Sequence, residues 1–90
     1  MFTVVKIVDG DTFDVNPAWQ WNGESGKRVR PAGYDAAELG TRGAITATRR
    51  LSGLILGKKV RLGTAHRVDR GRLVCEVYCS NGHNLKEYFN

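Results

Sequence analysis

One change in hydrophobic period limits the folds open to this chain. From Thr41 to Gly57 the apolar residues recur at spacings of three and four, a pattern typical of an amphipathic helix. On either side of this segment, apolar and β-branched residues run together or alternate with polar ones, as they do in β-strands. The apolar face of the helix is formed by Ala44, Ala47, Thr48, Leu51, Leu54 and Ile55. The sequence therefore predicts a mainly β protein with one helix between two groups of strands.

Five short segments have the strand pattern. They are residues 2–8, 12–15, 27–32, 59–62 and 73–79. Asp9-Gly10 separates the first two segments, and because this dipeptide favours tight hairpins we expect those strands to pair. Residues 16–26 contain several turn-forming residues and are interpreted as a loop. The third strand should bend or bulge at Pro31, since proline cannot donate to a sheet ladder.

This order of elements fits one small barrel. The helix should end at Gly57, because glycine is favoured just past a helix C-terminus. Asn84 should cap a short terminal turn that holds Leu85, Tyr88 and Phe89. A five-stranded OB-fold barrel, with the helix between strands 3 and 4 closing one end, accommodates all of these elements. With 90 residues the chain has room for a single domain, residues 1–90.

The charge of the chain favours a polyanionic partner. Fourteen lysine and arginine residues stand against nine aspartate and glutamate residues, which gives a formal net charge of +5. Such a surface attracts nucleic acid, and without a lipidation signal we expect no membrane partner. The sequence shows neither a signal peptide nor an apolar stretch long enough to span a bilayer, so we expect a cytoplasmic protein.

Carboxylates and arginines recur beside the predicted strands. Asp11 follows the hairpin dipeptide, Arg30 leads to Asp35 and Glu38, and Arg72 precedes the last strand. Carboxylate oxygens suit a hard divalent cation, and the planar guanidinium fork suits two phosphoryl oxygens. The combination predicts chemistry on a phosphodiester beside a divalent cation, which is the chemistry of a nuclease.

Three motifs resemble those of a known family. They are Val8-Asp9-Gly10-Asp11-Thr12, Arg30-Pro31-Ala32-Gly33-Tyr34-Asp35-Ala36-Ala37-Glu38, and Asp69-Arg70-Gly71-Arg72 followed by residues 73–78. In their order and spacing they resemble the staphylococcal-nuclease-like domain family, which includes the thermonucleases and micrococcal nucleases. The similarity extends over nearly the whole chain. It implies the OB-fold and a calcium-dependent hydrolase of DNA or RNA.

The resemblance also implies the ligands of the calcium ion. Asp11 and Asp35 match the two carboxylate ligands, and the backbone carbonyl of Ala36 stands where the family uses a threonine carbonyl. Calcium accepts such a mixture of carboxylate, carbonyl and water oxygens. These residues supply few ligands, so we expect water to complete the shell.

The remaining matches imply the catalytic and substrate-binding groups. Glu38 resembles the general base or water-orienting carboxylate, and Arg30 and Arg72 match the arginines that hold the phosphate and stabilise transition-state charge. Cleavage would leave a 5′-hydroxyl and a 3′-phosphate, with low sequence specificity. Trp19 and Trp21 lie on one face if their segment is extended, where they could stack on bases, plug the barrel end or clasp a hairpin.

The chain departs from the family pattern in three places. Ala37 stands where a proline usually precedes the glutamate, and the Asp69–Arg72 segment lacks the usual tyrosine and is one residue shorter. The sequence given ends at Asn90, without the further helices of longer relatives. We therefore expect an apolar patch beside the fifth strand, covered in a homodimer that buries Tyr88 and Phe89 across a two-fold axis.

Other interpretations of the same residues stay open. Asp11 can be a capping carboxylate of an ordinary turn. Arg30 and Arg72 can be structural ion-pair partners of Asp35 and Glu38. The corresponding alternatives for the whole domain are a non-catalytic nucleic-acid-binding OB module and a protein-interaction domain.

Overall fold

Five strands and one α-helix follow one another in the order predicted from the sequence. The computed structural model of the chain describes residues 1–34 and 42–89. The elements are β1 (Phe2–Asp9), β2 (Thr12–Trp21), β3 (Glu24–Pro31), α1 (Arg42–Ile55), β4 (Lys59–Asp69), β5 (Arg72–Cys79) and a terminal 3-10 helix (Leu85–Tyr88).

The strands form a closed barrel in the order β1-β2-β3-β5-β4. All neighbouring strands are antiparallel except β3 and β5, which are parallel. Parallel neighbours need a crossover connection, and here the chain between them contains α1 and β4. This strand order, with the helix between the third and fourth strands, confirms the predicted OB-fold barrel.

Helix α1 closes one end of the barrel with the face predicted from its period. Leu51 and Ile55 are fully buried, whereas Ile45 on another side of the helix is exposed. Gly57 has a φ of +77°, the left-handed conformation expected where a helix ends. Its backbone N–H donates to the carbonyl of Val4 at 2.9 Å, which ties the end of the helix to β1.

The core lies inside the barrel and is formed by alternate residues of the strands. Helix α1 and the segments after β3 and β5 add to it, and its members include Val4, Phe13, Val15, Trp19, Val29, Tyr34, Val60, Leu73, Val77, Leu51, Ile55 and Leu85. Leu85 belongs to the terminal 3-10 helix, which begins at the predicted cap. The side chain of Asn84 accepts from the Lys86 N–H at 3.0 Å, and the Asn84 N–H donates to Glu87 at 2.8 Å. This capping box confirms the predicted terminal turn.

The prediction of a loop over residues 16–26 was wrong. Strand β2 continues to Trp21 and β3 begins at Glu24, so only Asn22-Gly23 forms the turn. Both turn residues have positive φ, 51° and 80°, as a two-residue hairpin turn of type I′ requires. The proline that suggested a loop, Pro17, lies in an irregular stretch of the β2–β3 ladder, where a missing N–H is tolerated.

Strand β4 is also longer than predicted, since it extends past Leu62 to Asp69. Gly63 weakens the strand pattern, but a side chain there has little room because an added Cβ would lie 2.8 Å from the ring of Tyr78. The extension places His66 and Arg67 on the sheet beside β5. It thereby builds a surface that the sequence pattern did not indicate.

Candidate active site

The turn between β1 and β2 holds the first predicted site residue. The Asp11 N–H donates to Oδ1 of Asp9 at 3.1 Å, and the Thr12 hydroxyl donates to Oδ1 of Asp11 at 3.2 Å. The hydroxyl of Tyr34 donates to the Gly10 carbonyl at 3.2 Å. These bonds fix both the turn backbone and the Asp11 carboxylate.

Arg30 approaches this turn from β3. Its Nε lies 3.7 Å from Oδ2 of Asp11, and the two side chains are 20% and 19% exposed. An ion pair at this distance in a partly buried position is less screened by salt than one in open solvent. Strand β3 therefore places a predicted phosphate-binding arginine next to a predicted metal ligand.

Arg72 reaches the same turn from the start of β5. Its Nη2 lies 3.1 Å from Oδ2 of Asp69, and its Nε donates to the Asp69 carbonyl at 3.3 Å. Its Nη1 donates to the Thr12 hydroxyl at 3.3 Å. Three nitrogens are thus anchored, which fixes the plane of the guanidinium while N–H groups remain to donate elsewhere.

Asp11, Arg30 and Arg72, three of the predicted site residues, come together in this way. We call these residues, with Asp9 and Thr12, the acid–arginine cluster. Asp35, Ala36 and Glu38, the other predicted metal and catalytic residues, lie outside the described residues. Within the described ranges no group of three or more His, Cys, Asp or Glu side chains is placed to hold a metal ion.

The environment of Asp11 disfavours its charge. Burial raises the pKa of this carboxyl above its usual value of 3.8, and the neighbouring Asp9 carboxylate raises it further, against the opposing effects of Thr12 and Arg30. Two close carboxylates that repel each other are a suitable donor set for a hard cation, which relieves the repulsion. Asp11 therefore presents a carboxylate of the kind that the predicted site requires, and the calcium ion itself stays a prediction.

Asp69 is the described partner of Arg72, and Asp11 is the described partner of Arg30. Sequence reasoning named Asp35 and Glu38 as the structural alternative for these arginines. Asp69 belongs to the Asp69-Arg70-Gly71-Arg72 motif, but its role as an anchor for Arg72 depends on the turn between β4 and β5. Thr12 belongs to the first motif, but the sequence does not predict that its hydroxyl bridges Asp11 and Arg72.

No family model matches this sequence, and a search of curated proteins found none similar to it. The resemblance to staphylococcal-nuclease-like domains therefore depends on the order and spacing of the motifs. Among the described residues no helix is long and apolar enough to cross a membrane.

The two tryptophans differ in their access to a ligand. Trp19 is 2% exposed, its indole N–H donates to the Arg28 carbonyl at 2.8 Å, and Gly26 packs against its ring. Because no ring face is open, the base-stacking role predicted for Trp19 is corrected to that of a core residue clasping the β2–β3 hairpin. Trp21 is partly exposed beside the hairpin turn, and its contact with substrate stays a prediction.

Tyr34 stabilises the β1–β2 turn that carries Asp11, a role that the sequence did not predict. It is 8% exposed, and its ring stacks on Phe89 with centroids 4.3 Å apart and planes 4° apart. Burial raises the pKa of its hydroxyl, with smaller contributions from Asp11 and Asp9. Tyr34 therefore stays protonated and keeps donating to the turn carbonyl.

Proposed function

We propose that this domain is a calcium-dependent nuclease that hydrolyses phosphodiester bonds of DNA or RNA with low sequence specificity. The observation that carries the proposal is the convergence of Asp11, Arg30 and Arg72 at one turn. The Thr12 hydroxyl joins Arg72 to Asp11, and Arg30 forms an ion pair with Asp11 directly. These residues come from three separate motifs in the chain.

The arginines would bind and orient the scissile phosphate. A guanidinium is always charged at physiological pH and presents paired donors to two phosphoryl oxygens. Arg72 is held by Asp69 and Thr12, so little orientation is lost when it binds. Arg30 would exchange part of its interaction with Asp11 for the phosphate as negative charge grows on the phosphoryl oxygens.

Asp11, with Asp35 and the Ala36 carbonyl, would hold the calcium ion, which polarises a phosphoryl oxygen when bound. Asp9 lies close enough to Asp11 to add negative charge to this site. Glu38 would accept a proton from the attacking water or orient it, as the resemblance implies. Cleavage of this kind leaves a 5′-hydroxyl and a 3′-phosphate.

One assay tests the proposal. Purified protein is incubated with plasmid and with single-stranded DNA or RNA, in calcium, in magnesium and in chelator, and the products are end-labelled. A nuclease degrades the substrate in calcium, does little in magnesium and stops in chelator. A shift in electrophoretic mobility without cleavage would instead identify a nucleic-acid-binding OB module, and neither result would favour a protein-interaction domain.

The preparation itself needs a control, because contaminating nucleases are common. The double variant Arg30→Ala/Arg72→Ala, purified in parallel, lacks both phosphate-binding groups. Calcium-dependent cleavage that persists unchanged in this variant would overturn the assignment.

A further inference from the structure

A second basic feature lies beside the acid–arginine cluster, on the outer face of β3, β5 and β4. Val74 of β5 pairs with Arg30 of β3 on one side and with Arg67 of β4 on the other. Residues in register on adjacent strands project to the same face of a sheet. Arg30, Val74 and Arg67 therefore form one row across three strands, which we call the outer row.

The outer row is the floor and rim of a pocket of about 310 Å³. Val74, which is 3% exposed, lies between the two arginines. Adjacent strands are about 4.8 Å apart, so the backbones that carry the arginines are separated by roughly 10 Å. The pocket is completed by Ala32, Gly33, Tyr34 and His66. It presents an apolar floor between two guanidinium groups.

The two arginines of the outer row differ in the contacts that their side chains make within the protein. Arg30 contacts Asp11 and so belongs to both the cluster and the pocket. Arg67 is exposed, and its guanidinium makes no hydrogen bond or ion pair with any residue in the described ranges, while its backbone pairs with Val74. An exposed guanidinium without a protein partner, at the rim of a concave site, is available to an anion.

Glu76, an acidic residue on the same face of β5 as Val74, is already engaged by other residues. Glu76 lies 3.0 Å from His66 Nε2 and 3.6 Å from Lys86 Nζ, and it accepts from the Asn84 amide at 3.1 Å. The pKa of Glu76 is lowered, first by the hydrogen bond with His66. Glu76 therefore contacts these partners rather than Arg67, and Arg67 is the arginine that β4 contributes to the pocket lining.

We propose that this pocket binds a nucleotide next to the scissile one in a single-stranded nucleic acid, with Arg67 contacting its phosphate. The inference rests on the proposed function, because it places the scissile phosphate at Arg30 and Arg72. Arg30 then stands between two successive phosphates, and Val74 lies under the sugar or base. A single strand suits the site because its backbone can bend across the outer face of the barrel.

The test is a binding measurement that does not depend on cleavage. A 5′-fluorescein-labelled oligothymidylate of about eight nucleotides, within the range bound by one OB-fold, is titrated with protein in chelator while fluorescence anisotropy is recorded at several salt concentrations. Arg67→Ala is compared with Arg49→Ala, which removes an equal charge from an exposed position on α1. Circular dichroism checks that both variants are folded.

We expect Arg67→Ala to weaken binding about tenfold and to reduce the salt slope by about 0.7, the value for one single-strand phosphate contact. Arg49→Ala should stay within about twofold of the wild type, because it acts only through screened long-range attraction. Equal effects of the two variants would overturn the proposal, as would a wild-type protein that does not bind the oligonucleotide. Arg67-dependent binding to anionic phospholipid vesicles alone would overturn it too.

Cleavage of the same oligonucleotide in calcium separates this inference from the proposed function. Suppose that the wild type and Arg67→Ala cleave at the same rate, and that Arg67→Ala and Arg49→Ala bind equally well. The nucleotide-binding role of the pocket is then rejected, and the proposed nuclease activity stands. If binding depends on Arg67 but neither the wild type nor the variants cleave, the nucleotide-binding role of the pocket stands and the proposed nuclease activity is rejected.

Discussion

Arg72 Nη1 donates a 3.3 Å hydrogen bond to the hydroxyl of Thr12, a residue separated from it by 60 positions in the chain. The same hydroxyl donates to the Asp11 carboxylate at 3.2 Å. One proton and one lone pair of Thr12 therefore link a predicted metal ligand to a predicted phosphate-binding arginine. A substitution at Thr12 should therefore displace the side chains of both Asp11 and Arg72, although neither residue is itself replaced.

Thr12→Val tests this link, because valine has nearly the same shape but no hydroxyl. We expect cleavage to slow by about tenfold, since Arg72 loses one of its anchors and misplaced groups react more slowly. Stability should fall by about 1–3 kcal/mol, because Thr12 is buried and its hydrogen-bond partners are left unsatisfied. Single-turnover cleavage and urea unfolding measure the two effects.

Thr64→Val is the matched control, because Thr64 is exposed on β4. It should leave the cleavage rate unchanged. If Thr12→Val cleaved as fast as Thr64→Val, the Thr12 bridge would have no part in positioning Arg72.

The barrel could be predicted because its signals are local. The helix has a continuous period of three and four that ends at Gly57, and the terminal turn begins with a capping residue at Asn84. The hairpin over residues 16–26 was missed because Pro17 favours a loop, while the short turn signal Asn22-Gly23 was treated as part of that loop. Here tertiary packing of Trp19 outweighs local composition.

Only those site residues that belong to a recognisable motif were given a role from the sequence. Asp11, Arg30 and Arg72 are recognisable from spacing, and the structure brings these three together. Thr12 and Tyr34 act through contacts between distant segments, so their roles needed the barrel. Asp69 contacts Arg72 three positions away, and its role needed the conformation of the β4–β5 turn. Arg67 could not be assigned from sequence at all, because its place beside Val74 depends on the register of β4 with β5.

Gly26→Ala should destabilise the protein by about 1–3 kcal/mol, the usual cost of overpacking a core. An added Cβ at Gly26 would lie 2.9 Å from Cζ2 of Trp19, closer than a side chain can pack. The control is Gly53→Ala on α1, where an added Cβ meets no atom within 4 Å. There alanine should stabilise by about 0.5–1 kcal/mol, because glycine is unfavourable within a helix.

Urea unfolding of both variants gives the signs directly. Opposite signs are expected. Equal stability of Gly26→Ala and the wild type would mean that the Trp19 ring can move aside, and the hairpin would then be less rigid than its contacts indicate.

Glu38→Gln should separate binding from chemistry. If Glu38 acts on the attacking water, cleavage should fall by about two to four orders of magnitude, the effect of removing a general base. Nucleic-acid binding should persist, because Arg30 and Arg72 are unchanged. Glu24→Gln on the β2–β3 hairpin removes an equal charge at an exposed position and should leave the rate as it is. Cleavage by Glu38→Gln at the wild-type rate would contradict the mechanism.

The homodimer through Tyr88 and Phe89 stays a prediction. Within one chain Phe89 already stacks on Tyr34, and the Tyr88 hydroxyl accepts from the Asn81 amide at 2.9 Å. A two-fold interface would therefore use the parts of these rings that remain partly exposed. Light scattering at micromolar concentration should give the mass of two chains, and Tyr88→Ser should restore one. A stable monomer in the wild type would reject the interface.

Asp11→Asn should stabilise the protein at neutral pH, although it removes a proposed calcium ligand. The pKa of Asp11 is raised in the folded state, first by burial and then by Asp9. The folded protein therefore binds this proton more tightly than the unfolded chain does, and stability falls as pH rises from the unfolded value of 3.8 through the folded pKa. Asparagine carries no charge, so the variant lacks this loss.

Thermal melting in chelator should give Asp11→Asn a higher midpoint than the wild type at pH 7, with the difference disappearing below the unfolded pKa. Calcium should raise the midpoint of the wild type by mass action and leave the variant nearly unchanged.

Asp14→Asn is the control, because Asp14 is buried and its carboxylate accepts from Arg28 at 3.1 Å, so this change should destabilise at pH 7. A calcium-induced rise of equal size in Asp11→Asn would exclude Asp11 from the calcium site, because the ion would then bind without that carboxylate.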